Sequence, residues 1–166
     1  MKKSLVILSL LTLSVLMVSN AFAQATATQN LNLAVNAIYK ITTSGNPGAM
    51  TITTGTAGTD ALTSVSDAST TYSITQNFGN TVKITANLDA ALAAGYQLQV
   101  NLASGKGTSA GTVDISNATA ASAVSVVTAI AKGADAAKAI TYTFSANASA
   151  GTLTSTAKVV TLTLTN

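Results

Sequence analysis

Apolar and polar side chains alternate with a period of two over most of this chain, and that rhythm constrains its fold more than any other feature. Successive side chains of a strand point to opposite faces, so such a run buries one face and wets the other. In the clearest run Leu31, Leu33, Val35, Ala37, Tyr39 and Ile41 alternate with Asn32, Ala34, Asn36, Ile38, Lys40 and Thr42. Ser44-Gly45-Asn46-Pro47-Gly48 then ends the ladder, because Pro and Gly favour turns. Met50 to Thr54 reads as a short second strand. Residues 55 to 69, rich in Gly, Thr, Ser and Asp, read as loop with room for a brief strand around Leu62 to Val65.

The pattern continues through Thr71 to Gln76, with Tyr72 and Ile74 on one face, and a turn is expected at Asn77-Phe78-Gly79-Asn80. Val82, Ile84, Ala86 and Leu88 mark the next strand. Asp89 to Gly95 is a tight loop or a short helical turn, since seven residues rarely sustain a helix. Tyr96, Leu98, Val100 and Leu102 alternate with Gln97, Gln99 and Asn101, and a loop over 104–111 leads to Val113 and Ile115. Between Ala118 and Ile130 alanines suggest helix, but the β-branched Val124, Val126, Val127 and Ile130 favour a strand over about 123–130. Gly133 to Lys138 reads as loop. Ile140, Tyr142, Phe144 and Ala146 form a strand, and Val160, Leu162 and Leu164 close the chain against Thr161, Thr163 and Thr165.

Eight or nine short strands in one domain predict an all-β fold, a β-sandwich first and a barrel second. An outer-membrane barrel would need aromatic girdles and longer strands, whereas six Tyr and Phe residues follow position 24. No repeat of fixed period is visible, which speaks against a solenoid.

Residues 1–23 read as a cleaved signal peptide. Lys2 and Lys3 precede an apolar run from Leu5 to Val18, and Ala21-Phe22-Ala23 supplies small residues at the cleavage site. That run is shorter than the roughly 20 residues that span a bilayer, so no transmembrane segment is expected after cleavage. The exported chain, residues 24–166, is a single domain of about 143 residues, secreted or placed at the cell surface through the periplasm of a Gram-negative bacterium.

Export also changes the charge. Six Lys stand against five Asp after residue 24, about +1 in all, and the lysines at 40, 83, 106, 132, 138 and 158 occur singly with no Arg beside them. Nucleic-acid binding, which needs clustered cations, is excluded on that ground. The exported chain also lacks His, Cys, Glu and Trp, so zinc and copper sites, thiol chemistry and disulfides are outside its means. Asp60, Asp67, Asp89, Asp114 and Asp135 sit alone in or near turns, where Asp bonds local backbone. No enzyme activity and no cofactor are therefore expected.

Gly105-Lys106-Gly107-Thr108-Ser109-Ala110-Gly111 has the glycines of a phosphate loop, but Gly107 stands where such a loop needs Ser or Thr, and a strand rather than a helix follows. It reads as an ordinary loop. The chain has about 27 Thr after residue 24, with Thr-x-Thr at 51/53, 141/143 and 161/163/165. Without a stacking repeat these suit exposed strand faces better than a flat ice-binding array.

Low charge weakens repulsion between copies and favours association. Edge strands are usually guarded by charge, Pro or bulges, yet the first strand carries only Lys40 and the last is preceded only by Lys158. An apolar, uncharged terminal strand can pair with a neighbouring copy's sheet. Leu31, Leu33, Val35, Tyr39 and Ile41 are the candidate assembly strand, and Val160, Leu162 and Leu164 the candidate closing strand.

Three stretches carry a resemblance: the Ala-Thr-rich start (Ala25 to Val35), the strand Ile140-Thr141-Tyr142-Thr143-Phe144, and Ala150-Gly151 leading into the closing Val159 to Thr165. In these the chain resembles secreted bacterial β-sandwich proteins of the pilin and spore-coat kind, although it lacks the disulfide that familiar members carry. The resemblance implies an immunoglobulin-like sandwich that polymerises by donating a terminal strand, as a structural subunit of a fibre, fimbrium or surface layer. The partners expected are further copies or other surface proteins. The alternative is a soluble extracellular binding module or adhesin that holds its ligand in loops 55–69 and 104–111.

Overall fold

A computed structural model describes residues 25–79 and 81–166. The leader expected over 1–23 and Asn80 of the expected turn lie outside the described residues. The chain divides into two units, one ending at Val35 and one spanning Asn36–Asn166. Residues 25–35 of the first carry neither helix nor strand.

The second unit is all-β. Among the described residues its strands are β1 (Tyr39–Thr43), β2 (Val65–Gln76), β3 (Val82–Leu88), β4 (Tyr96–Leu102), β5 (Thr108–Ser109), β6 (Val113–Asp114), β7 (Val124–Ile130), β8 (Gly133–Ala146) and β9 (Val160–Thr165). They form two antiparallel sheets, β1-β2-β8-β4-β6 and β5-β7-β3-β9. No helix among the described residues is long and apolar enough to cross a membrane.

Alternation drives both sheets onto one core. Val82, Ile84, Ala86 and Leu88 of β3 are fully buried while Lys83, Thr85 and Asn87 between them are half-buried. From the other sheet come Tyr72, Ile74, Leu98, Val100, Leu102, Ile140 and Tyr142, all in the same cluster. Each large aliphatic buried this way contributes about 1.5–3 kcal/mol, which lets the fold stand without a disulfide. Gln76 is buried too, and it is fully satisfied: Nε2 donates to Gly79 O and Ile130 O, and Oε1 accepts from Phe78 N.

Several expectations need correction. Residues 65–69, read as loop, are the first part of β2, where Val65, Ser66 and Asp67 face Phe144, Thr143 and Tyr142 of β8. The long first strand shrinks to β1, because β2 ends at Gln76 opposite Tyr39 and, among the described residues, the chain just beyond it bonds back no further than Asn36. Met50 to Thr54 is not a strand; its alternation finds no ladder partner, and only Gly55 and Leu62 form an isolated bridge nearby. Gly133 to Lys138, read as loop, is the first half of β8. Its Ala and Gly residues carry little strand signal, but Tyr72 to Gln76 of β2 supply the ladder that holds them extended. A bulge lies here: Tyr72 faces Lys138 and Ile74 faces Asp135, so β8 carries the extra residue, and Ala137 takes a positive φ of 51°.

Candidate functional site

The structure brings part of the expected assembly strand together with all of the closing strand. β1 is the outer strand of the larger sheet and β9 the outer strand of the smaller, and the two edges approach each other on one side of the core. Tyr39 and Ile41 from β1, and Val160, Leu162 and Leu164 from β9, turn inward and pack partly buried against that core. Leu31, Leu33 and Val35 belong to the first unit. They lie outside any strand, 77 %, 84 % and 83 % exposed.

The free edge of β9 follows from its register. Asp89 N donates to Val159 O at 3.0 Å, and Asp89 Oδ1 accepts from Val159 N at 3.1 Å. Hydrogen-bonded pairs alternate along an antiparallel ladder, so Thr161, Thr163 and Thr165 direct their backbone groups to Asn87, Thr85 and Lys83. The N–H and C=O groups of Val160, Leu162 and Leu164 therefore face outward along the edge. No charged side chain lies on β9 itself.

Residue Asn77, which the sequence marks only as a turn former, fixes the lead into β1. Its Oδ1 accepts from Ile38 N at 2.7 Å, its Nδ2 donates to Asn36 O at 2.9 Å, and its own N–H donates to Ile38 O at 3.3 Å. The Phe78 ring stands 5.5 Å from that of Tyr39.

All five aspartates hold backbone or neighbouring side chains. Asp60 accepts from the N–H and hydroxyl of Ser149, and Asp67 from Ser69 and Gly48. Asp89 takes Val159, while Asp114 takes Ser116 and Gln97. Asp135 accepts from Gly105 N at 2.6 Å and Lys106 N at 3.1 Å and pairs with Lys138 Nζ at 3.2 Å. The 104–107 loop thus does gather N–H groups around an anion, as its glycines hint, and the anion is the chain's own carboxylate. Burial opposes the charge on Asp135, but the Gly105 N–H, Lys138 and the Lys106 N–H hold its carboxyl below the ordinary range. Hydrogen bonds from Ser69 lower Asp67 likewise, and in Asp114 those from Ser116 and Gln97 outweigh desolvation.

Other sequence signals fall apart in space. Ser155-Thr156-Ala157-Lys158 is a Ser-x-x-Lys spacing that the sequence reading missed, but residues 151–159 are not helical, and Lys158 Nζ donates to Ala90 O. Thr141 and Thr143 belong to one sheet, Thr161, Thr163 and Thr165 to the other, and Thr51 and Thr53 to neither, so they make no single array. Among the described residues no three His, Cys, Asp or Glu side chains gather as a metal site would require. No protein-family model matches the chain, and comparison with curated proteins finds no relative.

Proposed function

We propose that this protein is a secreted, non-enzymatic structural subunit of an extracellular fibre, pilus or surface layer, built as an immunoglobulin-like sandwich that joins its copies through terminal strands. The observation that carries this reading is the exposure of Leu31, Leu33 and Val35, an alternating apolar trio in a stretch that forms no strand. Such a trio is shaped to complete a sheet, and the β9 edge offers what it needs. Outward N–H and C=O groups at Val160, Leu162 and Leu164 would bond its backbone, and an apolar side would receive alternate side chains. The non-enzymatic part rests on the aspartates, each of which serves the fold.

The adhesin alternative gains no support from its proposed loops. Residues 60–62 are clipped to the end of β8, with Leu62 N donating to Ala146 O and Ala148 N to Asp60 O, and the 104–107 loop is folded onto Asp135.

The test is electron microscopy and denaturing electrophoresis of the exported chain beside a Leu31→Ser/Leu33→Ser/Val35→Ser variant. Filaments or ladders are expected from the first and not the second. Strictly monomeric behaviour of the parent at high concentration rejects the reading.

A further inference from the structure

The charges of the unit Asn36–Asn166 are sorted by end of the fold, which nothing in their spacing along the chain reveals. At one end β2 finishes at Gln76 opposite Gly133, and β3 starts at Val82 opposite Ile130. Five lysines belong to that half. Lys40 faces Thr75, Lys83 faces Thr165, Lys138 faces Tyr72, Lys132 lies in the turn between β7 and β8, and the Lys106 carbonyl accepts from Ala131 N. One carboxylate, Asp135, lies among them.

At the opposite end Leu88 faces Val160 and Tyr96 faces Ala146. Asp89 and Asp60 sit there, bonded to Val159 and Ser149. Asp114 (opposite Gln99) and Asp67 (opposite Tyr142) lie in the same half, with Lys158 the one cation. Five lysines less one aspartate give +4 at one end, and one lysine less four aspartates gives −3 at the other, together the +1 of six Lys and five Asp.

We propose that copies of this chain associate head to tail, the lysine end of one against the aspartate end of the next. This rests on the self-association reading above and adds a direction to it. Asp60, Asp67, Asp89 and Asp114 accept from N–H and hydroxyl groups rather than from lysines, and Lys40, Lys106 and Lys132 are exposed. With almost no net charge to repel, opposite ends attract and like ends do not, and screening over about 8 Å at physiological salt confines the effect to docking range. The stacking also fits the chain path. Asn36 is held at the lysine end by Asn77, and β9 starts at the aspartate end with Val160. Residue 36 of one copy would therefore meet the start of the open β9 edge of the next.

The experiment compares assembly rate, by light scattering and microscopy, for the exported chain and two charge variants that spare every aspartate. Lys40→Glu/Lys106→Glu/Lys132→Glu takes the lysine end from +4 to −2, so both ends are acidic, and Ala91→Lys/Ala93→Lys/Ala94→Lys/Ala148→Lys, at exposed sites near Asp89 and Asp60, takes the aspartate end from −3 to +1, so both ends are basic. Circular dichroism and melting confirm that each folds. Parent assembly should slow about tenfold or more from low to high salt, each variant alone should assemble poorly, and an equal mixture should recover the rate. Parent assembly indifferent to salt and to both variants overturns the direction while leaving self-association standing. Salt-sensitive growth that stops at two copies also overturns it, in favour of a closed antiparallel pair. A parent that never assembles overturns both readings.

Discussion

Asn77 holds Ile38 as a neighbouring strand would, its Oδ1 accepting from Ile38 N at 2.7 Å while its backbone N–H donates to Ile38 O at 3.3 Å. β2 has already ended at Gln76, so one side chain extends the ladder by a residue and sets where the chain leaves the sheet. Asn77→Ala removes the Oδ1 bond to Ile38 N and the Nδ2 bond to Asn36 O at an exposed site while keeping the backbone bond. It should lower stability by about 1 kcal/mol and raise amide exchange at Ile38 well above that at Ile41. Unchanged exchange at Ile38 would show that β1 needs no such clasp.

Ala137 and Ala129 adopt φ values of 51° and 52°, a region that burdens any residue with a Cβ. Both are exposed and sit in bulged strands, so the backbone there is set by the ladder rather than by the residue. Replacing either with Gly relieves the strain and concedes some chain entropy. Ala137→Gly should therefore stabilise by about 0.5–1 kcal/mol, read as a rise in the urea midpoint with an unchanged slope. A lower midpoint would place the bulge elsewhere.

Much of this fold is legible in the sequence where burial alone decides. Alternation locates β4, β7 and β9 to within a residue or so, because each must hide one face. It fails where the ladder decides instead. Leu31 to Val35 has the rhythm of a strand and forms none, while Gly133 to Lys138 has weak rhythm and a partner waiting in β2. The inward roles of Tyr39, Ile41, Val160, Leu162 and Leu164 follow from period two. The sorting of lysines and aspartates to opposite ends does not, since it depends on which strands become neighbours.

Two glycines of one loop should respond differently to the same substitution. A Cβ on Gly107 would stand 2.7 Å from Thr128 O and 2.8 Å from an Ile130 side-chain carbon, so backbone must move. Gly111 has φ +73° and open space around it. Gly107→Ala should cost about 2 kcal/mol through overpacking. Gly111→Ala should cost about 1 kcal/mol through backbone strain alone, and Gly111→Asn less than that, because Asn tolerates the left-handed region. Equal losses at both positions in chemical denaturation would contradict the packing described for Gly107.

The acid limb of stability should report on Asp135. Burial disfavours its charge, but the N–H groups of Gly105 and Lys106 and the Lys138 ammonium more than offset this, so its carboxyl is lowered in the folded state. A carboxyl lowered on folding binds fewer protons than its unfolded counterpart. Its contribution is therefore complete above the ordinary carboxylate value of about 4 and drains away as pH falls through the lowered one. Asp67 and Asp114 are lowered too and act in the same direction. Melting temperature should be flat from neutral pH to about 5 and then fall as the carboxyls protonate. Asp135→Asn keeps the shape and loses the charge, so it should cost about 2 kcal/mol at neutral pH and much less at a pH low enough to protonate the parent carboxyl. A variant whose deficit is the same at both pH values would mean that the carboxylate charge plays no part in holding the 104–107 loop.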